Sequence, residues 1–367
     1  MLAPFGYFCR FPMMNLHETY MRRCLDLALL GAGSVAPNPM VGAVLVFENR
    51  IIGEGYHEQY GQAHAEVNCL NAVQKEDRHL ISQSTLYVSL EPCTHIGKTP
   101  PCSNLIIHSQ IPKVVIACQD PFPKVAGKGI TLLQEAGIEV RVGVLEQEAL
   151  ELNKRFIQFH QKQRPFILLK WAQTCNGKIA GLGHERLMIS NDFTNRLVHR
   201  WRSEEAAILV GFNTALKDNP KLDNRYWKGK SPIRMVIDCD LSLPANLNLF
   251  DGSQRTIVFN QVQTLNQQNN LEYIQLNREQ KGIHQIMAIA YQLGIQSIMV
   301  EGGAKLHQAF IDQGFWDEVR VICNEYLSIA EGLDAPILGE AELFQTTQIE
   351  TDRIYYYQPR LKDQHKP

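Results

Sequence analysis

The chain has 367 residues, 45% of them hydrophobic and 20% charged, with a formal net charge of −2. That length exceeds what one hydrophobic core ordinarily serves, so two domains are expected. The balanced charge excludes a bulk electrostatic footprint for nucleic acid or an anionic membrane surface, and no apolar run reaches the ~18 residues of a membrane span.

In chain order, the opening MLAPFGYFCRFPMM lacks a basic segment followed by a long apolar one, so it does not read as a signal peptide; Met13 and Met14 are alternative starts. Apolar residues at helical spacing (Met21, Cys24, Leu25, Ala28, Leu29) predict a helix over 17–31. VGAVLVF (41–47), a polar turn at Glu48–Arg50 and IIGEGY (51–56) predict a β-hairpin. A helix is expected from His64 to Val73, then a strand at TLYVSLE (85–91), a buried strand at KVVIAC (113–118), a helix near 127–136 and a strand at IEVRVG (138–143). Alternating elements with purely apolar strands imply an α/β sheet covered on both faces. The polar stretch NKRFIQFHQKQRP (153–165) closes this unit and places the boundary around 155–165. A second α/β series follows: strands at 166–172, 206–211, 233–238 and 255–260, a helix near 282–293, and the strand SIMVEGG (297–303). The tail IYYYQPRL reads as a late edge strand.

The nine cysteines are odd in number and scattered, which argues for a reducing cytoplasm and against a disulfide framework. Two of them, Cys93 and Cys102, bracket LEPCTHIGKTPPC (90–102), and upstream lies HAE (64–66). His64 can supply a nitrogen and Cys93 and Cys102 two thiolates. Three protein ligands leave a zinc ion one open position, which is the catalytic arrangement. Zinc lowers the pKa of bound water toward ~7. Glu66 is placed to take that water's proton and pass it to a ring nitrogen and a leaving amine. The zinc nucleobase-deaminase signature is H-x-E followed by P-C-x-x-C. HAE and EPC match it, but here eight residues separate the cysteines. The insert becomes a loop at the mouth of the site, on which His95 and Lys98 can hold an anion such as a substrate phosphate. A structural zinc site is the alternative, with His95 or Cys118 as fourth ligand. Cys9, Cys24, Cys69, Cys175 and Cys323 read as packing residues or exposed thiols.

In the second half no G-x-G-x-x-G follows a strand, so a Rossmann dinucleotide domain is not expected. VEGGAKL (300–306) instead ends a buried strand in Glu301 and leads through two glycines into a helix, a geometry suited to a diphosphate. GFNTALKDNPKLDNR (211–225) adds polar groups after another strand, and two such loops fit a ligand crevice at the carboxyl ends of a sheet.

PNPMVGAVLV (37–46), GYH (55–57), HAEV (64–67) and EPCTHIGKTPPC (91–102) resemble the deaminase half of the bifunctional riboflavin biosynthesis deaminase/reductase family. KWAQTCNGKIA (170–180), RWRSE (200–204), NTALKDNPKL (213–222) and VEGGAKL resemble its reductase half. The resemblance implies an N-terminal cytidine-deaminase-like three-layer α/β/α domain over 15–160. It implies a C-terminal dihydrofolate-reductase-like α/β domain over 163–367. It makes His64, Cys93 and Cys102 the ligands of one zinc per chain and Glu66 the catalytic proton shuttle. Asn38 would bind the pyrimidine, although a residue between two prolines is equally a turn residue. His57, His95 and Lys98 would surround the base and ribose phosphate.

In the reductase half the resemblance puts Lys170, Arg202, Leu222, Arg225 and Glu301 on the substrate side. Ala172, Thr214, Asp218, Gly302 and Gly303 would face NADPH, with Cys239 either beside the cofactor or in packing. Arg202 and Arg225 can fork a phosphate, and Lys170 and Asp218 can steer protons during hydride delivery. The bland alternatives are an Arg202–Glu205 pair and an Asp218 turn cap. Three positions depart from the family pattern. Asn176 stands where an Asp is usual, and Arg186 and Met188 replace a Ser-x-Trp pair. Arg186 can reach the substrate phosphate, and Met188 takes the place of a flat wall near the nicotinamide.

The expected activity is zinc-dependent deamination of an aminopyrimidine nucleotide followed by NADPH-dependent reduction of its ribosyl chain. The expected setting is a cytoplasmic homo-oligomer, dimer or tetramer, with no nucleic-acid or membrane partner. Two rivals remain at this level. One is a zinc deaminase acting on RNA with a non-catalytic second domain; the other is a binding protein with a structural zinc.

Overall fold

The computed structural model describes residues 15–94, 100–121, 126–183 and 187–360. Its contacts divide the chain into two compact units, 1–157 and 158–367.

The first unit runs α1 (Leu16–Leu29), β1 (Gly42–Phe47), β2 (Arg50–Tyr56), α2 (Ala65–Asn71), a 3-10 segment (Lys75–Gln83), β3 (Thr85–Leu90), α3 (Cys102–His108), β4 (Lys113–Cys118), α4 (Lys128–Glu135), β5 (Glu139–Val142), α5 (Glu146–Leu152) and α6 (Lys154–Lys162), the last of which spans the division. The strand order is β2-β1-β3-β4-β5. The hairpin turns through Glu48 and Asn49, both at positive φ (46° and 68°), the backbone that a two-residue loop between twisted strands requires. β1 is antiparallel to β2 and β3, while β3, β4 and β5 are parallel.

Successive side chains of β1 leave on opposite faces. Val44 and Val46 meet Met21, Cys24 and Leu25 of α1, and Ala43 and Leu45 meet Ala65 and Cys69 of α2 and Ile106 of α3. Helices therefore cover both faces, in three layers. The fit of α2 on β2 is close: a Cβ at Gly55 would stand 2.3 Å from the Cys69 nitrogen.

The second unit continues with β6 (Phe166–Thr174), β7 (Lys178–Gly181), α7 (Asp192–Glu204), β8 (Ala207–Gly211), α8 (Phe212–Asp218), β9 (Ile233–Ile237), β10 (Thr256–Asn260), β11 (Leu265–Gln268), β12 (Leu271–Gln275), α9 (Gly282–Gln292), β13 (Ser297–Val300), α10 (Ala304–Asp312), β14 (Glu318–Asn324), β15 (Gly332–Asp334), β16 (Ala341–Ile349) and β17 (Asp352–Pro359). Its main sheet has ten strands in the order β11-β12-β10-β9-β8-β13-β6-β14-β17-β16. The seven from β12 to β14 are mutually parallel. Ile167 and Leu169 of β6 pack with α9 and α10 on one face, and Phe166 and Leu168 pack with Val198 and Trp201 of α7 on the other.

One expectation changes. The tail strand is not an edge: β17 pairs with β14 on one side and β16 on the other, and β16 is the outer strand. The stretch 153–165, where the boundary is expected, is largely the helix α6. Its end is tied down within the second unit. Asp317 accepts hydrogen bonds from the Arg164 guanidinium (2.7 Å from each of two nitrogens), the Gln158 amide (3.0 Å) and the Ile167 N–H (2.8 Å). The pair is largely buried, at 14% and 11% side-chain exposure. Removing one partner of such a pair strands the other charge, so Asp317→Ala should destabilise the second unit by about 3–5 kcal/mol. Urea denaturation of the second unit's transition measures it, and an unchanged midpoint would count against the anchoring role.

Candidate active sites

Three segments meet at one point of the first unit. His64 is the N-cap of α2, in extended conformation (φ −75°, ψ 167°). Cys93 lies in the loop after β3, and Cys102 opens α3 behind the N-cap Pro101. The donor atoms of His64, Cys93 and Cys102 all lie within 4.8 Å of one another. The His64 Nδ1 is 3.6 Å from the Cys93 Sγ and 3.3 Å from the Cys102 Sγ. Two sulfurs and one nitrogen at this spacing form the soft donor set that suits zinc, and they form the one such cluster found among the described residues. Cys118 is elsewhere: its thiol donates to the Ser89 carbonyl. His95 and Lys98 lie outside the described residues.

The Cys93 sulfur already accepts the Cys102 backbone N–H (3.4 Å). A hydrogen bond from the Cys102 thiol, opposed by burial, leaves Cys93 well below the usual thiol range. The same bond and then burial push Cys102 up. The bond from Cys93 outweighs burial and raises His64. Glu66 is 4% exposed and shares a hydrogen bond with the Cys102 thiol. Burial, then the Cys93 charge, raise its carboxyl above the ordinary value.

Asn38 and His57 are adjacent. The His57 Nδ1 lies 3.0 Å from the Ala63 carbonyl, which can only accept, so Nδ1 carries the hydrogen. Its Nε2 then accepts from the Asn38 amide nitrogen at 3.0 Å, and burial keeps the ring neutral by lowering its pKa. The Asn38 amide is thereby oriented, with its Oδ1 left as an acceptor. The ring of His57 stands edge-on to that of His64, with centroids 5.4 Å apart.

Two supports escaped the sequence reading. Asn153 accepts from the Met40 N–H (2.8 Å) and donates to the Met40 carbonyl (2.9 Å), clamping the loop that carries Asn38. Glu91 is 3% exposed and its carboxylate accepts from the N–H groups of Asp120, Gly127, Gly129 and Ile130 at 2.8–3.3 Å. A Cβ at Gly129 would stand 2.2 Å from the Pro92 carbonyl, so the start of α4 closes directly on the segment holding Cys93. The sequence offered Glu91 only as part of the EPC match, and nothing local to Asn153 signalled a partner 113 residues away.

In the second unit a cavity of about 710 Å³ is lined by Lys170, Ala172, Met188, Thr214, Asp218, Glu301, Gly302 and Gly303, among others. A neighbouring one of about 400 Å³ is lined by Lys170, Met188, Arg202 and Arg225, with further residues of α7. Both lie where parallel strands end, the position of ligand crevices in open α/β sheets. Gly303 is the N-cap of α10. A Cβ at Gly302 would stand 2.6 Å from the Leu306 Cδ2 methyl, so a side chain there would require Leu306 to move. Unpaired backbone N–H groups at the start of α10 suit a diphosphate, which fits the cavity to a dinucleotide cofactor.

The sequence-derived residues are therefore brought together, with three exceptions. Leu222 is 2% exposed, packed in the core at φ 49°, so only its backbone can meet a ligand. Cys239 is exposed and lines neither cavity. Arg186 lies outside the described residues. Arg202 pairs with Glu301 and not with Glu205: its Nε and Nη2 donate to the carboxylate at 2.9 and 2.8 Å. Burial opposes ionisation of Glu301, but the charges of Arg202 and Lys170 prevail and hold it at about 2.

The site geometry and the two folds define a zinc-dependent deaminase joined to a nucleotide-dependent reductase. Residues 14–118 match the cytidine and deoxycytidylate deaminase zinc-binding region, and residues 165–362 match the RibD C-terminal domain. The chain is 37% identical to the riboflavin biosynthesis protein RibD of Aquifex aeolicus over 93% of this chain and 95% of that protein. It is 39% identical to RibD of Bacillus amyloliquefaciens over 90% of each. It is also similar to the crystal structure of a diaminohydroxyphosphoribosylaminopyrimidine deaminase/5-amino-6-(5-phosphoribosylamino)uracil reductase from Thermotoga maritima, with a TM-score of 0.86 and 35% identity over 94% of this chain and 99% of that one. The chain belongs to the RibD family of riboflavin biosynthesis proteins. The rival of an RNA deaminase with a non-catalytic second domain finds no support, since the likeness runs through both halves.

Two outcomes follow. Metal binding requires both thiols ionised and the imidazole neutral, so zinc affinity should fall as pH drops, and Cys102→Ser should lose the zinc that the wild type holds at one per chain. Metal content by atomic absorption checks this, and full zinc in the variant would remove Cys102 from the ligand set. Glu301 has its folded-state pKa at about 2 against an ordinary 4.5. Its stabilising contribution is therefore complete above about 4.5 and lost as pH falls toward 2, on the order of 2–3 kcal/mol. Glu301→Gln should flatten that acid limb of the stability–pH curve.

Proposed function

We propose that the chain performs two successive steps of riboflavin biosynthesis, a deaminase within 15–160 and a reductase within 163–367. The first is hydrolytic deamination of 2,5-diamino-6-ribosylamino-4(3H)-pyrimidinone 5′-phosphate. The second is NADPH-dependent reduction of the ribosyl chain, giving 5-amino-6-ribitylamino-uracil 5′-phosphate. The observation that carries the reading is the His64, Cys93 and Cys102 cluster with the buried Glu66 beside it.

Zinc held by that cluster supplies a Lewis acid that brings water toward ionisation at neutral pH. Glu66 takes one proton of the water and delivers it to the ring nitrogen; it then carries the second proton, from the hydroxyl added to the ring carbon, to the amine, which leaves as ammonia. Asn38, its amide set by His57, accepts a hydrogen bond from the pyrimidine. His95 and Lys98 complete this pocket on the substrate side.

NADPH bound along Ala172, Met188, Thr214, Asp218 and the Gly302–Gly303 turn supplies the hydride. Lys170 and Asp218 manage the proton that accompanies hydride addition to the sugar carbon. Glu301, Arg225, Arg186 and the Leu222 backbone orient the ribosylamino phosphate, with Arg202 fixing Glu301.

Cytoplasmic location is part of the proposal. It is supported by eight free cysteines among the described residues and by the absence there of a helix long and apolar enough to cross a membrane. So is a homo-oligomer, dimer or tetramer, for which the outer strand β16 offers an unpaired edge with Leu343 and Phe344 exposed.

Glu66→Gln should keep zinc and lose deamination by about 10²–10⁴-fold, while NADPH oxidation with supplied deaminated intermediate persists. Asp218→Ala should stop NADPH oxidation while deaminated product accumulates. Near-normal deamination in the first variant, or a wild type that oxidises no NADPH with intermediate supplied, would each sink the corresponding half of the reading.

A further inference from the structure

The smaller cavity of the second unit holds a histidine that no role above uses. His199 lies on the face of α7 that also presents Asn195, Arg196 and Arg202 to that cavity, and it is 4% exposed. Its Nδ1 is 3.2 Å from the Arg225 backbone nitrogen. That nitrogen can only donate, so Nδ1 accepts, and the neutral ring carries its hydrogen on Nε2. Burial, then the charges of Arg202 and Arg225, push the imidazole down to about 4 against the opposing pull of Asp223 and Glu301, so the ring is neutral at physiological pH. Among the described residues no protein group pairs with Nε2. The ring lines the cavity, so its Nε2–H is a donor open to whatever occupies it.

The cations around it divide the work. Each nitrogen of Arg202 already bonds protein, Nε and Nη2 to Glu301 and Nη1 to the Asp223 carbonyl at 3.2 Å, so three of its five N–H donors are committed to orienting its neighbours. Arg196 lines the same cavity and has no carboxylate partner among the described residues. Arg225 pairs at its Nη1 with Asp223 and lies over the Tyr226 ring, 4.9 Å from its centroid. A cavity of about 400 Å³ with this lining suits a phosphorylated sugar better than a dinucleotide.

We propose that His199 is a substrate-binding residue of the reductase half, its Nε2–H donating to an oxygen at the phosphomonoester end of the ribosylamino substrate beside Arg196 and Arg225. The inference rests on the reductase reading above. It adds a neutral donor where a phosphate would otherwise meet charged groups alone, which favours geometry over bulk attraction.

Two substitutions separate its two nitrogens. In His199→Asn the amide oxygen stands where Nδ1 stood and keeps the Arg225 anchor, but no donor reaches the cavity. In His199→Gln the amide nitrogen takes the place of Nε2 and the anchor is dropped. With the full-length chain, NADPH and supplied deaminated intermediate, His199→Asn should raise KM for the intermediate about 10- to 100-fold. KM for NADPH should stay unchanged, and His199→Gln should recover most of the loss. Inorganic phosphate should inhibit the wild type competitively and His199→Asn more weakly, and the dephosphorylated intermediate should not distinguish the two proteins. A wild-type KM in His199→Asn with a defect in His199→Gln overturns the proposal and leaves only the loop anchor. An equal rise in KM for NADPH also overturns it, by assigning the contact to the cofactor. If His199→Asn folds poorly, His199→Phe decides: a loss confined to the phosphorylated substrate supports the contact, and an unchanged KM refutes it. A wild type that oxidises no NADPH would sink the reductase reading itself, before any variant is compared.

Discussion

Bringing two sulfurs and an imidazole nitrogen within 4.8 Å constrains the first unit more than any other requirement. The three donors come from two helix starts and a loop, and each is held from behind. α2 can sit low enough on β2 only because Gly55 has no side chain, a Cβ there standing 2.3 Å from the Cys69 nitrogen. The Cys93 loop is fixed by the bonds from the Ser103 N–H and hydroxyl to the Cys93 carbonyl (3.2 and 3.0 Å). One residue earlier than Pro92, Glu91 gathers four backbone donors from the start of α4 and the segment before it. A carboxylate with four N–H partners is a strong electrostatic knot. It leaves the chain around Cys93 little freedom, and a metal site needs its ligands preset because ligand order is costly to create at binding.

The second unit solves a different problem, that of collecting charge without neutralising it wastefully. Arg202 and Glu301 are 12% and 10% exposed in their side chains. At that depth an unpaired guanidinium or carboxylate is expensive, and a well-formed pair is near break-even. The pair therefore serves position more than stability. It holds Glu301 ionised at the end of β13, where the strand gives way to Gly302 and Gly303, and it leaves the Arg196, Arg225 and His199 groups as the polar lining open to a ligand. His307 of α10 fastens the same turn from inside, its ring nitrogens lying 3.0 Å from the Val300 carbonyl and 3.3 Å from the Gly303 carbonyl.

What the sequence disclosed follows from how local the signal is. Strands 113–118 and 233–238 are short apolar runs between polar flanks, and they appear within a residue of the expected bounds. The H-x-E and P-C spacings are fixed by chemistry, so His64, Glu66 and Cys93 were legible, and Cys102 was found although its spacing departs from the common pattern. The supports were not legible because they are long-range. Asn153 reaches Met40 across 113 residues, and it sits in a polar stretch whose composition shows only that the first unit ends there. His199 reads as one more polar residue on an amphipathic helix until the Arg225 loop folds onto its Nδ1. The tail failed for the same reason: IYYYQ alternates as a strand, but a single strand cannot show whether one or two neighbours will pair with it.

The departures from the family pattern are resolved differently at the positions the structure describes. An Asp is usual where Asn176 stands. The Asn176 Oδ1 accepts from the Thr174 hydroxyl at 2.7 Å, a bond that a carboxylate would make equally well. Its Nδ2 donates to the Ile329 carbonyl at 2.8 Å, and an ionised Asp would oppose two acceptors there. The exchange is thus absorbed by a partner on a neighbouring segment, and the turn through Gly177 (φ 76°) is kept without the charge. Met188 shows the other kind of accommodation. It is 61% exposed and lines both cavities, where an aromatic plane would give a rigid wall. A flexible thioether adapts its shape to what it meets, so the cavity boundary is softer here than a flat ring would make it. Lys170, Asp218 and Glu301, which line the larger cavity, sit on or at the ends of β6, α8 and β13 and not on the segment that changed. The departure therefore falls on the boundary of the cavity and leaves in place the elements that carry those side chains.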